Sequence, residues 1–287
     1  MPHPVSGIDH AFILVQDLLS ARDRFARFGF TLSPRGLHSA ERGTANHTIV
    51  FRNDYLELLG IALDTPLNGG QRELLRQRGE GLHAVACRTV AAATEAKFAL
   101  AEIGIATRTP TAFSRPVALP GGGERLAAFE TLNFDAAEVP QGLCFICQHK
   151  TPDMVWRPEL QAHPNGALEI DSILVVSETA EVSARRFARL FASGSVTSAE
   201  GGWRVSTGVR SARLLFLDPA SAARAYAGGL LDGTPRGALA GVRIRVRSIA
   251  HAGKLLVAAD VPARATARGL AIPAAEAGGC LLEFTAA

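Results

Sequence analysis

Apolar β-type runs and helix-spaced runs alternate along the chain in one recurring order. Residues 7–15 (Gly-Ile-Asp-His-Ala-Phe-Ile-Leu-Val) read as a strand. In residues 18–28, Leu18, Leu19, Phe25 and Phe28 recur at helical spacing among Arg and Asp, and Gly29 ends that helix. Residues 47–51 and 55–61 are further apolar strands, separated by the turn-like Arg52-Asn53-Asp54. With a second strand near Thr31, the pattern predicts a β–α–β–β–β unit.

The same order restarts three times. Residues 81–87 predict a strand and 90–102 a helix. A loop rich in Pro and Gly is expected over 110–124, then strands over 125–133 and 142–149. A third unit places strands at 168–176, 203–206 and 212–217 and a helix at 180–192. A fourth opens with 242–249 and closes with 280–284. Four units of about 70 residues are too long for a solenoid repeat, so they should pair into small sheets or barrels. Residues 152–166 hold three prolines and end in Pro-Asn-Gly, which makes them the expected linker. The fold class expected is α+β: four βαβββ modules paired into two domains, 1–160 and 161–287.

Composition narrows the setting. At 287 residues, 47% hydrophobic and 20% charged, the chain is globular in character, and no apolar run reaches the roughly 20 residues of a bilayer span. The net charge of +3 is spread out. Its densest cluster, Arg243, Arg245 and Arg247, alternates with Val242, Ile244 and Val246 and has no stacking aromatics beside it. That is a charged strand face, and neither nucleic acid nor a membrane is an expected partner. The N-terminus has no basic start followed by an apolar stretch, and Cys87, Cys144, Cys147 and Cys280 sit singly in apolar runs. Free thiols and a cytoplasmic location are expected.

Three polar residues interrupt the apolar strands. His10 lies early in the first strand of unit one, Glu57 (Tyr-Leu-Glu-Leu-Leu) in its last, and His83 (Gly-Leu-His-Ala-Val) early in the first strand of unit two. Alone, each histidine reads as an ordinary core residue. Together, His10 and His83 occupy matching repeat positions, and a glutamate among leucines is costly to bury without a partner. Two imidazoles and a carboxylate suit a divalent cation such as Zn, Fe, Mn, Co or Ni. Repeat symmetry asks for a fourth ligand near 143–149, where no Glu stands. Cys147, Gln148 and His149 are the candidates, with Cys147 and His149 on one strand face.

Gly-Ile-Asp-His, then Val-Gln-Asp-Leu, a helix and Tyr-Leu-Glu-Leu resemble the vicinal oxygen chelate superfamily of glyoxalase I, extradiol dioxygenases, epimerases and antibiotic-resistance proteins. Gly43 to Ile49 with Tyr55 to Gly60 resemble bacterial glyoxalase-like domain proteins. The resemblance covers about residues 7–160. It implies paired modules around a metal that activates a small oxygen-bearing substrate. It carries the first-strand ligand of each module onto His10 and His83, and the last-strand ligand of the first onto Glu57. The implied activity is that of a lyase, isomerase or dioxygenase, with His47 or His149 as the proton-transfer base; the alternative is a non-catalytic binding protein of the same fold. The missing fourth carboxylate weakens a glyoxalase I assignment. The second half keeps only Glu283 in a matching context and reads as a degenerate copy serving as cover or as dimer contacts. Gly121-Gly122-Gly123 reads as a hairpin or lid, and His38, His163, Trp156 and Trp203 receive no role.

Overall fold

The computed structural model describes residues 1–119, 121–139, 141–235 and 239–287. The first module comprises β1 (Val5–Val15), α1 (Leu18–Arg27), β2 (Gly36–Leu37), β3 (Thr44–Val50) and β4 (Tyr55–Ile61). An inserted helix, α2 (Gly69–Arg78), leads to the second: β5 (Gly81–Thr89), α3 (Ala93–Glu102), β6 (Thr111–Ala118), β7 (Glu124–Asn133) and β8 (Leu143–His149). The third is β9 (Ala167–Val176), α4 (Ala180–Ala188), β10 (Ser195–Ala199), β11 (Gly202–Ser206) and β12 (Arg213–Leu217). After α5 (Pro219–Ala225), the fourth is β13 (Leu239–Val246), α6 (Ile249–Ala258), β14 (Arg264–Ala265), β15 (Gly269–Ile272) and β16 (Leu281–Ala286). The chain is therefore an α+β protein of four βαβββ modules, paired two by two.

Each pair forms one eight-stranded sheet. The first runs β2-β3-β4-β1-β5-β8-β7-β6 and the second β10-β11-β12-β9-β13-β16-β15-β14. In both, the first strands of the two modules meet antiparallel at the centre, and each lies parallel to the last strand of its own module. Apolar residues alternate between the two faces. The faces carrying the helices share one core, in which Phe25 of α1, Leu100 of α3, Phe187 of α4 and Leu256 of α6 lie with strand residues of both sheets. The opposite, concave faces hold separate smaller clusters.

Several local expectations shift. The segment expected as a loop contains β6, which pairs with β7 along its length. Pro116 is compatible with this because β6 is an edge strand, where a missing N–H breaks no ladder. The second strand of module one lies at Gly36–Leu37 and not near Thr31. The expected linker is packed: Met154, Val155 and Leu160 join the concave core, and His163 joins Val50 O (3.0 Å) to Thr31 N (3.1 Å). Gly29 closes α1 at φ +83°, and a side chain there would collide with Asn165 and Leu255. Among the described residues, no helix is long and apolar enough to cross a membrane.

Candidate active site

The concave face of the first sheet holds a cleft of about 190 Å³ whose walls include His10, Glu57, Asn46 and Arg115. Its geometry follows from two of the three irregularities where β1 meets β5. Ile8 pairs with Cys87 and His10 with Ala86, which leaves Asp9 as an extra residue on β1. Phe12 pairs with Ala84 and Ile13 with Leu82, which leaves His83 as an extra residue on β5. These are β-bulges, and a bulge re-aims the side chains beside it.

The bulge on β1 brings Asp9 alongside His10. Asp9 Oδ1 accepts from His10 Nδ1 at 2.7 Å and from His149 Nε2 at 2.9 Å. Asp9 is fully buried, and burial alone would raise its pKa. The two imidazoles outweigh that and hold it far below the usual carboxylate range. An ionised Asp9 fixes the proton of His10 on Nδ1, so Nε2 presents its lone pair to the cleft. The His10 ring is clamped against Tyr55, stacked at 4.2 Å and 16°. Burial raises the Tyr55 pKa well above its ordinary value, so the ring stays a neutral phenol.

Glu57 faces His10 from β4, with its Oε2 3.7 Å from His10 Nε2. Its other oxygen accepts from Asn46 Nδ2 at 2.6 Å. Asn46 reaches it because β3 and β4 are antiparallel neighbours, with Asn46 opposite Leu59 and Thr48 opposite Glu57. The result is a buried imidazole and a buried carboxylate across a short gap, each held from behind by a hydrogen bond.

His83 does not join them. As the bulge residue it is turned from the cleft, and its Nε2 bonds Gly79 O at 2.9 Å. The metal set His10, Glu57 and His83 is corrected on this point. Symmetry gives the reason. Asp9 and His83 are the matching bulge residues, so the counterpart of His10 is Ala84. Phe12, which pairs with Glu57, corresponds to Ala86, which pairs with Phe145. The two positions that would complete a four-residue centre are therefore Ala84 and Phe145, neither of which has a donor atom. A catalytic metal normally has three protein ligands; His10 and Glu57 supply two, so these positions do not fit the metal that the resemblance implies. A different group of four donors, Asp9, His10, Cys147 and His149, lies with its ligand atoms within 4.8 Å of one another and could hold a metal ion.

The other expected residues fall in different places. His47 alternates away from Asn46 and Thr48, which line the cleft, and its Nδ1 bonds Ser33 O at 2.8 Å. It does not reach the gap as a base. His149 has a buried side chain and acts on Asp9 from behind. Gln148 points to the other strand face, where its Nε2 donates to Val90 O. Cys147 lines the cleft as a buried thiol, its pKa pushed well up by burial and by Asp9 and Glu57. Gly123 closes a hairpin on Leu119, which fits the expected turn. Sequence reasoning missed Asp9, Asn46, Arg42, Arg115 and His38. Asp9 was legible, since Gly7 and Gly81 each stand two residues before a bulge residue.

A family model described as a glyoxalase-like domain matches residues 8–191. No curated protein sequence matches the chain. Among solved structures, a hypothetical protein from Staphylococcus aureus aligns over 98% of this chain and 99% of its own, with TM-score 0.67 and 14% identity. A variant of homoprotocatechuate 2,3-dioxygenase from B. fuscum aligns over 99% and 72%, with TM-score 0.57 and 15% identity. A fusion protein of a xylose isomerase-like TIM barrel and 4-hydroxyphenylpyruvate dioxygenase aligns over 100% of this chain and 50% of its own, with TM-score 0.56 and 13% identity. At these identities the likeness is one of fold.

Proposed function

The chain belongs to the glyoxalase-like domain family, with the vicinal oxygen chelate fold, and from that premise we propose that it is a proton-transfer enzyme, an isomerase or lyase, acting on a small oxygen-bearing substrate in the first cleft. One observation carries this reading: His10 Nε2 faces the cleft with Asp9 behind it and Glu57 Oε2 3.7 Å in front. A carboxylate behind an imidazole sets its tautomer and steadies the cation formed when it takes a proton. His10 would accept the proton of a substrate carbon that bears a hydroxyl beside a carbonyl and return it to the neighbouring carbon, while the Glu57 carboxylate would take the hydroxyl proton and pass it to the carbonyl oxygen, so that carbonyl and hydroxyl exchange places. A cytoplasmic setting belongs to this reading and is supported by four free thiols, two of which, Cys87 and Cys144, share a hydrogen bond at 3.5 Å as thiols.

The experiment is hydrogen exchange in D2O, followed by NMR over a panel of small carbonyl compounds. The wild type should exchange the proton adjacent to a carbonyl, and His10→Asn should lower the rate by about 100-fold or more. No exchange with any compound would overturn the reading and leave a sequestering protein of the same fold.

A second reading rests on the four donors Asp9, His10, Cys147 and His149. A divalent metal there (Zn, Fe, Mn, Co or Ni) would make the chain a metalloenzyme. Elemental analysis of untagged protein separates the two readings: one equivalent of metal, lost in Cys147→Ser and His149→Ala, would support the second.

A further inference from the structure

Among the described residues, Arg115 is a buried cation with no close partner. The residue is 7% exposed, and its guanidinium borders the first cleft. The groups that raise its pKa, Glu57 and Tyr55, act only at a distance, while burial lowers it. Among the described residues, no carboxylate stands within salt-bridge range of it. An unpaired buried charge costs several kcal/mol, and a fold keeps one only when something compensates it. The space for this side chain is also built in: Gly36 lies against Arg115 and Asn46, and a Cβ at that position would overlap both.

A second guanidinium, Arg42, lines the same cleft and lies over the Phe113 ring at 3.9 Å from its centroid. Burial holds the His38 pKa down at about 4, so it is neutral near pH 7. Two guanidiniums against the single carboxylate of Glu57 leave one formal positive charge among the groups lining the cleft. The remaining wall mixes aromatic rings, Phe12, Phe129 and Phe145 among them, with polar side chains such as Thr48 and Thr131. A cavity of ~150 Å³ holds benzene, so about 190 Å³ accommodates a ring-sized apolar body with a small charged group. Asn46 Oδ1 is buried in the same wall without a partner and would accept from a substrate hydroxyl.

We propose that the first cleft binds a monocarboxylate with a compact apolar or aromatic body, its carboxylate on Arg115 and Arg42. This rests on the proton-transfer reading for its chemistry and names the substrate class of the same site. A planar guanidinium matches a carboxylate in two parallel hydrogen bonds, and the net single charge fits a monoanion better than a phosphate dianion.

The test is calorimetric titration of the full chain at pH 7.5 with benzoate, its neutral isostere benzamide, and inorganic phosphate. Benzoate should bind one to one and at least about tenfold more tightly than benzamide or phosphate. Arg115→Gln should weaken benzoate by about tenfold or more, and Arg115→Lys should restore part of the affinity. Without ligand, Arg115→Met should melt at or above the wild-type temperature, because it removes an unpaired buried charge; a purely structural arginine would lower it. Benzoate binding no tighter than benzamide, or unchanged in Arg115→Gln, would overturn the proposal, as would tighter binding of phosphate. His10→Asn separates the two readings: it should abolish exchange and keep benzoate binding. Carboxylate binding without exchange sinks only the chemistry, and exchange confined to neutral ketones sinks only the substrate class.

Discussion

Arg243 donates from Nε to Glu283 at 2.6 Å, in the second sheet, at the two positions that Ala86 and Phe145 hold in the first. The bulges establish the match. Leu168, Asp171 and Ala240 are the extra residues where β9 meets β13, as Ser6, Asp9 and His83 are where β1 meets β5. Glu283 thus stands where Phe145 does, at the last-strand position that Glu57 holds in the first module, but the chain's own cation neutralises it. Tyr226 adds a hydrogen bond at 2.8 Å. The second cup keeps the carboxylate and has closed it off.

That pair makes a stability prediction. Removing one partner of a buried ion pair strands the other, at a cost of about 3–5 kcal/mol. Arg243→Met should lose about that much in urea unfolding, because Glu283 is 1% exposed. The double variant Arg243→Met/Glu283→Leu should recover most of it, since an apolar pair of similar volume is often neutral. A single variant within about 1 kcal/mol of wild type would show that the pair is not an energetic unit.

Asp54 gives the pH prediction. It is buried at the junction of the two sheets and accepts from Ile170 N at 3.0 Å. Burial, reinforced by nearby Glu169 and Asp9, pushes its pKa up to about 7. A carboxyl with a raised folded pKa holds its proton more tightly folded than unfolded. Stability from this group is therefore full below about pH 4, falls as the pH rises to about 7, and stays level above that. The total change is at most about 4 kcal/mol. Buried histidines with lowered pKa values, such as His38, slope the opposite way. The quantity to measure is thus the difference between Asp54→Asn and wild type. The variant should gain over wild type between pH 4 and 7 and keep a constant lead above; parallel profiles would remove Asp54 as the cause.

His83 and Asp9 separate the site from its near neighbour in sequence. His83→Ala should leave proton exchange and metal content as in wild type, because His83 bonds Gly79 and does not face the cleft. Asp9→Asn should lower the exchange rate by about 100-fold while leaving benzoate affinity within a few fold, since Asp9 acts through His10. An inactive His83→Ala that is folded by circular dichroism would return His83 to the site.

The modular plan was legible because each unit repeats the switch from a two-residue to a helical apolar period, and because glycines punctuate it at similar places. His10 and Glu57 were legible as polar residues that apolar strands had to accommodate. What escaped was register. A bulge shifts every later residue by one, so two histidines that match by eye face opposite ways. Arg115 escaped for another reason. It precedes Pro116 in a segment rich in loop residues, and only the pairing of β6 with β7 shows that it belongs to a wall. Its being unpaired depends on distances that no periodicity encodes.

The register also predicts how to rebuild what the second module lacks. Ala84 and Phe145 stand where the twofold relation between the modules places the counterparts of His10 and Glu57. Ala84→His with Phe145→Glu should therefore surround one point with two imidazoles and two carboxylates, a set that suits first-row divalent ions. Without metal, the double variant should be less stable than wild type, because it places a new carboxylate in an apolar wall. With Ni or Zn at 100 times the dissociation constant, it should recover about 2.7 kcal/mol, read as a rise in melting temperature that chelator reverses. Wild type and either single variant should show much smaller shifts. Equal shifts in wild type and the double variant would place the metal elsewhere, with Asp9, Cys147 and His149 the next residues to replace. No shift in the double variant would mean that the two modules are not related by the register described.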